Sequence, residues 1–460
     1  MASLSRQFAA WAAGLAYDDL PAAVVDRAKG VTLQGLASAL LGYDSNAGRN
    51  ALQLMKDEEA GGAGVATVWV DGSKLTKGGA AFVNSELVLA GGKWDTYKML
   101  THPGVAILPA AMIAAELEGA DGRAYLTGVV AGYEVLERMA RDFVPAVMAR
   151  GFHSGPIFGI FGAAMAAAKI MGLNEDQLNS VIGQCVNLAA GNLEGARSGG
   201  RRTSEGSAVR NALLAVAMAK HGMPGGETVL EGEAGFYHSY TGNNKGRLSY
   251  VFRGPRTTSL DEITAGLGRR WEFLETLYRI YSVPGFNIAH IDVTAAICEE
   301  HDIRPEDVDR VEAVVNWMET LYPSPAFPTP GGNAPRVGST QYYSAHAVVK
   351  RGFPLVNRPG DPPPPEAVDL MQRVTLIPSK RQTLFGPKIS IFTKDGKKYT
   401  RQATGREFIW DFDAEARRIR GVLPGVPVSE QQFEALIEAC RDLDGLTRAD
   451  ELIALTLPRR

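Results

Sequence analysis

The longest uncharged apolar run of this chain, Gly155 to Ala168, is built of glycine, alanine and large apolar side chains, and few folds accept it. Small residues at helical spacing let helices approach closely, so the run reads as one wall of a tight helical core. It is too short for a membrane span, which takes about 20 apolar residues, and glycines interrupt it. The same helical spacing recurs in Leu4 to Leu15, Ala22 to Leu41, Gly78 to Leu89, Pro109 to Leu117, Gly122 to Arg138, Ile157 to Met171, Glu175 to Ala190 and Ala208 to His221. Residues 1–267 are therefore expected to form a large helical domain.

Beyond residue 268 the pattern changes. Trp271 to Arg279 is helix-like, and strand signals follow it. Val308 to Val315 alternates as a half-buried strand, Val374 to Ile377 resembles another, and Lys388 to Tyr399 carries Asp395-Gly396 between alternating flanks, a hairpin signature. Pro-rich stretches at Tyr322 to Pro335 and Pro354 to Pro365 read as surface loops. A smaller α+β domain is expected over 268–404, and residues 405–460, with a helix at Glu430 to Arg441, are expected to complete the helical domain. The fold class is thus mainly α with a smaller α+β domain.

The charge balance removes one class of partner. A net charge of -3 lacks the basic excess that binding a phosphate backbone requires, so nucleic acid is not expected. With 460 residues and 45% hydrophobic side chains, the chain can bury a core large enough for two domains. The apolar segment Phe8 to Tyr17 has only Arg6 before it and runs into Asp18-Asp19, a poor signal peptide, so a soluble cytoplasmic protein is expected. Cys185, Cys298 and Cys440 are far apart and include no close pair. They read as buried small hydrophobes, and neither a disulfide framework nor a metal or cluster site is expected.

Two of the seven histidines stand just ahead of strongly apolar segments, in Thr101-His102-Pro103-Gly104 and in Gly151-Phe152-His153-Ser154-Gly155. Histidine titrates near working pH, which suits it to general acid/base work, while a helix-capping or loop-packing role is the plainer reading. The segment Arg197 to Gly206 combines glycines with three arginines, and Thr203 or Ser204 can cap the helix that follows. Such a run can cradle an anion through guanidinium groups and helix N–H groups, or can be a solvated loop.

The ordered series of these pieces resembles the MmgE/PrpD family, which includes 2-methylcitrate dehydratase, cis-aconitate decarboxylase and iminodisuccinate epimerase. The matching stretches are Asp95-Thr96 ahead of His102-Pro103-Gly104, then Ala131-Gly132-Tyr133-Glu134-Val135, then Gly151-Phe152-His153 with Phe158-Gly159-Ile160-Phe161-Gly162. Arg210-Asn211-Ala212-Leu213-Leu214-Ala215, Leu230-Glu231-Gly232 with Gly235-Phe236, Pro284 with His290, and Tyr342-Tyr343 ahead of Gly352 complete it. The resemblance implies a helical domain plus an α+β lid, an active site in a cleft, a homodimer, and chemistry on a small carboxylate without metal or organic cofactor. It implies catalytic roles for His102, His153 and Tyr343. Substrate contacts would come from Asp95, Thr96, Arg201, Arg202 and His290, with Arg201 nearest to a lysine of the family and a family histidine falling on Ser204.

One departure bears on substrate choice. Members usually show Leu-Asp-Phe-Asp-Asp-Thr ahead of the His-Pro pair, whereas this chain has Gly91-Gly92-Lys93-Trp94-Asp95-Thr96, so the first aspartate falls on Gly92 and the second on Trp94. Lys93 would bind a further carboxylate or, if desolvated, act as a base; an exposed lysine is the plainer reading. The expectation is a cofactor-independent lyase, dehydratase or decarboxylase, acting on a small di- or tricarboxylate. An epimerase of a small dicarboxylate or amino-dicarboxylate is the alternative.

Overall fold

Alanine and glycine set the spacing of the helices that carry the candidate residues. The computed structural model describes residues 2–198, 203–244, 246–248, 250–252, 257–356 and 361–458. The chain divides into two units, one of Met1–Ser249, Arg256–Tyr278 and Ile409–Arg460, the other of Tyr250–Pro255 and Arg279–Phe408. The fold is mainly α with a small α+β part.

In the first unit the helices are α1 (Leu4–Gly14), α2 (Ala22–Tyr43), α3 (Asn46–Glu58), α4 (Lys77–Gly91), α5 (Pro103–Glu118), α6 (Gly122–Ala140), α7 (Val144–Ala149), α8 (Ser154–Ile170), α9 (Glu175–Leu188), α10 (Leu193–Ser198), α11 (Ser204–Lys220) and α12 (Phe236–Thr241). Polar residues start many of them: the side chains of Ser3, Ser45, Thr76, Asp121 and Asn174 accept the backbone N–H that the first turn leaves unpaired. The run read as a core wall is α8, nearly all of it buried, with α5, α6 and α11 packed on it. Among the described residues no helix is long and apolar enough to cross a membrane.

The α6–α8 approach depends on two glycines facing each other. A Cβ on Gly132 would lie 2.6 Å from the Gly162 carbonyl oxygen, and one on Gly162 would lie 2.9 Å from the Gly132 oxygen. Backbone cannot yield as a side chain can. Gly132→Ala is therefore expected to cost about 1–3 kcal/mol, the usual range for overpacking, read as a lower denaturant midpoint with unchanged slope.

The second unit carries α13 (Asn287–Glu300), α14 (Thr340–Lys350) and α15 (Pro365–Leu370). After a two-stranded ribbon in the first unit, β1 (Ala66–Thr67) with β2 (Lys74–Leu75), the larger sheet lies here: β3 (Val308–Asn316), β4 (Val374–Ser379), β5 (Lys388–Thr393) and β6 (Lys398–Gln402) in the order β4-β3-β5-β6. β3 runs parallel to β4 and antiparallel to β5, and β5–β6 is the hairpin expected at Asp395-Gly396, where Gly396 has φ 86°. Along β3, Val308, Val311, Ala313 and Val315 are buried.

Two expected elements differ. The helix foreseen from Pro109 begins at Pro103, because Pro103 sits at the first helical position, where a missing N–H costs nothing, and α5 absorbs Pro109 in its interior. Trp271 to Arg279 is not a helix but a single 3₁₀ turn, Glu272–Glu275. Its Phe273 N–H donates to the Glu134 carboxylate, and Leu277 pairs in both directions with Thr96 in an antiparallel bridge, so the backbone groups a helix would use are engaged elsewhere. Two further helices, α3 and α14, are not among the expected elements; α3 is polar on its outer face and buries a narrow stripe of Gly48, Ala51 and Met55.

The returning chain adds α16 (Phe412–Ile419), α17 (Glu430–Arg441) and α18 (Glu451–Thr456) to the first unit, with α16 and α17 packed on α2. Glu415 of α16 is fully buried and accepts a 2.9 Å bond from the Trp410 indole N–H; that indole stacks on Tyr278 with ring centroids 5.3 Å apart. Burial pushes its carboxyl up from 4.5 to about 8, against opposing pulls from the Trp410 bond and from Arg418 and Arg27. The folded protein then keeps a proton that the unfolded chain releases. Stability from this group is whole below about 4.5 and falls as pH rises through about 8. Thermal melts of wild type and Glu415→Gln across that window should show the wild type alone losing stability through this group; parallel curves would refute it.

Candidate active site

The segment joining α4 to α5 carries four of the nine singled-out residues, Lys93, Asp95, Thr96 and His102, and its backbone is unusual. Gly92 ends α4 with φ 75°, and two non-glycine residues, Lys98 and Leu100, hold φ of 53° and 52°. Left-handed conformations at such residues cost on the order of 1–3 kcal/mol each and persist only where the surroundings over-determine them. Here the Thr96–Leu277 bridge, the Tyr97 N–H to Thr101 carbonyl bond of 2.9 Å and the Lys93 N–H to Ser38 hydroxyl bond of 3.0 Å fix the segment.

His102 occupies the N-cap of α5. Its Nδ1 lies 3.1 Å from the Asp95 carbonyl oxygen and 3.2 Å from Thr96 Oγ1, and the Trp94 ring stands edge-on with centroids 4.2 Å apart. The Asp95 carboxylate turns toward the start of the helix. It accepts the Gly104 N–H at 2.9 and 3.1 Å and the Tyr133 hydroxyl. An acidic side chain there also complements the positive end of α5.

His153 occupies the corresponding place on α8. Ser154, which follows it, is bound to Thr101, which precedes His102, by a 3.3 Å hydroxyl contact, and the Ser154 hydroxyl also reaches the Met99 and Leu100 carbonyls at 3.1 and 3.0 Å. Both histidines thus stand at N-caps of adjacent helices tied through their neighbours. His153 Nδ1 is 3.9 Å from Oε1 of Glu205, and both side chains are 1% exposed. Gly155 leaves room for that carboxylate, since a Cβ there would lie 2.2 Å from Glu205 Oε1.

Lys93 is also buried, at 1% exposure, so the exposed-lysine reading fails. Thr203 stands at the N-cap position of α11, which begins at Ser204, but its side chain makes no capping hydrogen bond; the N–H of Gly206 donates to Glu86 of α4 at 3.1 Å, so a carboxylate of the protein itself occupies part of that helix start. Arg201 and Arg202 lie outside the described residues. Cys185, Cys298 and Cys440 are buried singly on α9, α13 and α17.

In the second unit, His290 of α13 is fully buried, with Nε2 3.4 Å from Glu319 Oε2; Glu319 also accepts the Phe385 N–H at 3.3 Å. Burial raises the Glu319 carboxyl, opposed by His290. Tyr343 lies on α14, which packs on α13, and burial pushes its hydroxyl up to about 12, so it stays a proton donor at working pH. His346, treated as structural from sequence, is held by its Nδ1 2.8 Å from the Gly352 carbonyl.

Sequence reasoning passed over Tyr133, Glu205, Glu86, Thr101 and Ser154. Tyr133 stood in a stretch already matched to the family, and its position in Gly132-Tyr133-Glu134 was the only available signal. The others carry side chains whose value comes from contacts across long separations.

The geometry offers two buried imidazoles, one beside a carboxylate, a buried lysine amine and two helix N-termini. Imidazoles so placed can move protons at a carbon next to a carboxylate. A sequence model described as the MmgE/PrpD N-terminal domain matches residues 6–249. A cis-aconitate decarboxylase-like protein of Aspergillus oryzae, oryM, is 27% identical over 295 residues, covering 62% of this chain and 59% of that protein. Cis-aconitate decarboxylase of Aspergillus terreus is 29% identical over 286 residues, 60% of this chain and 56% of the other. The mouse cis-aconitate decarboxylase is 24% identical over 425 residues, 87% of this chain and 82% of that protein. The chain thus spans little more than half the length of the fungal relatives it matches.

Proposed function

This chain belongs to the MmgE/PrpD family, and on that premise we propose that it is a cofactor-independent lyase acting on a small di- or tricarboxylate. The observation that carries the reading is the Thr101–Ser154 contact of 3.3 Å, which sets His102 and His153 at the starts of two adjacent helices. One histidine takes or gives the proton at the carbon next to a carboxylate, and the other serves the leaving or arriving group. In a decarboxylation the electron pair of the broken C–C bond stays on that carbon, carbon dioxide leaves, and a histidine supplies the proton. In a dehydration a histidine takes the α-proton, and the departing hydroxide receives a proton from its partner. Helix N-termini and Lys93 favour the carboxylates that do not react. The relatives named cis-aconitate decarboxylase make cis-aconitate the first compound to try.

Buried Lys93 supports a second reading, in which an amine and a histidine act on opposite faces of one stereocentre and nothing is eliminated. Proton NMR in deuterated water separates the two, using cis-aconitate, citrate-like, malate-like and amino-dicarboxylate compounds. Vinylic or decarboxylated products establish the lyase, and deuterium entering an α-position without elimination establishes the epimerase. No change with any compound would refute both. The reading also takes Tyr343 as a proton donor, Arg201, Arg202 and His290 as substrate contacts, and a cytoplasmic homodimer, whose mass light scattering would give.

A further inference from the structure

We propose that Tyr133 is a positioning residue for His102: its hydroxyl locks the Asp95 side chain onto the start of α5, which aims the Asp95 carbonyl at Nδ1 and leaves Nε2 as the nitrogen that exchanges protons. The proposal rests on the reading that His102 moves a substrate proton.

The chain of contacts is short and buried throughout. A backbone carbonyl can only accept, so the 3.1 Å approach of Nδ1 to the Asp95 oxygen places the ring proton on Nδ1, and Thr96 Oγ1 at 3.2 Å shares it. Neutral histidine in water prefers the other tautomer, with the proton on Nε2. The fold therefore selects the minor form, and it needs a rigid acceptor to do so.

Asp95 is made rigid from two sides. The Gly104 N–H holds both carboxylate oxygens, at 2.9 and 3.1 Å, and the Tyr133 hydroxyl binds Oδ2. Gly104 has to be glycine for this, since a Cβ there would lie 2.8 Å from the Tyr133 oxygen and 3.1 Å from Asp95 Oδ1. Tyr133 in turn has little freedom: it is fully buried on α6, its ring packs against Phe273 with centroids 4.3 Å apart, and its neighbour Gly132 is pressed against α8. Burial first and the Asp95 charge next hold its hydroxyl well above the usual tyrosine range, which keeps it a donor. Nothing in this arrangement requires Tyr133 to touch substrate. Its part is to fix which nitrogen of His102 is basic, and a wrong tautomer in a catalytic histidine is known to be costly.

The test is a long-range proton–nitrogen NMR spectrum of protein labelled with ¹⁵N-histidine, the His102 signals being assigned by their loss in His102→Gln. Wild type is expected to show a protonated Nδ1 and a pyridine-type Nε2. Tyr133→Phe removes only the hydroxyl and should give a mixture of tautomers, with kcat lower by about tenfold and KM little changed, as loss of one buried hydrogen bond felt in the transition state would do. Asp95→Asn, which keeps the shape but weakens both anchors, should shift the tautomer in the same direction. An unchanged His102 tautomer in folded Tyr133→Phe overturns the proposal, whatever happens to the rate. Wild-type protein that turns over no carboxylate would overturn the functional reading instead, and the spectrum would still decide the positioning role.

Discussion

His102→Ala will lower turnover of whichever carboxylate the panel identifies by about 10²–10⁴, the usual contribution of a positioned general acid or base. His153→Ala will do the same, and the double variant will fall far short of the product of the two, because groups that serve one proton-transfer sequence are strongly non-additive. The physical basis is that each histidine is buried at the N-cap of its helix and that a hydroxyl contact links the residues beside them. His102→Ala should leave far-ultraviolet circular dichroism and the melting profile little changed, whereas His153→Ala takes an imidazole from beside the buried Glu205 carboxylate and should keep the helical signal but lower the melting temperature. Steady-state rates over a pH series check the claim. A loss below tenfold in either well-folded variant would remove that histidine from the proton work.

Much of the fold was legible because its periodicity is local. The buried run of α8 announced itself through spacing alone, and the β5–β6 hairpin through Asp395-Gly396. What escaped was set by partners distant in sequence. Trp271 to Arg279 has the composition of a helix, but Glu134 and Thr96 take up its backbone groups, and neither is visible from within the segment. For Lys93 a role in a cleft stands in the sequence beside an exposed one, because lysine rarely lies fully buried, and only the structure shows it buried with its backbone N–H on Ser38 of α2. The two histidines could be picked out by their flanking glycines and prolines. Glu205, which stands beside His153, and Tyr133, which anchors Asp95, could not, since each meets its partner across dozens of residues.

Arg138→Met will destabilise the first unit by about 3–5 kcal/mol, the range for breaking one side of a buried ion pair. Both Arg138 and Glu134 are 0% exposed, with Nε 2.6 Å from Glu134 Oε2. The guanidinium also donates to the Ala265 carbonyl at 2.9 Å, to Gly266 at 3.3 Å and to Arg270. Removing it strands a carboxylate and those carbonyls together. Burial already lifts the Glu134 carboxyl from 4.5 to about 6 despite the arginine, so the folded state holds a proton the unfolded chain has lost, and stability from this group falls as pH rises through about 6. Without the arginine that decline should extend to higher pH. Urea unfolding at pH 5 and pH 8 checks both statements: the variant's deficit should be smaller at pH 5, and Glu134→Gln combined with Arg138→Met should recover part of it, because a neutral pair no longer buries a lone charge. The loss should reach the site as well. Phe273 hangs from Glu134, Thr276 donates to Glu137, and Leu277 pairs with Thr96, so the segment that Arg138 pins is the one that holds the turn carrying His102. Equal deficits at the two pH values, with no recovery in the double variant, would show that Arg138 acts through packing of its stem and not through its charge.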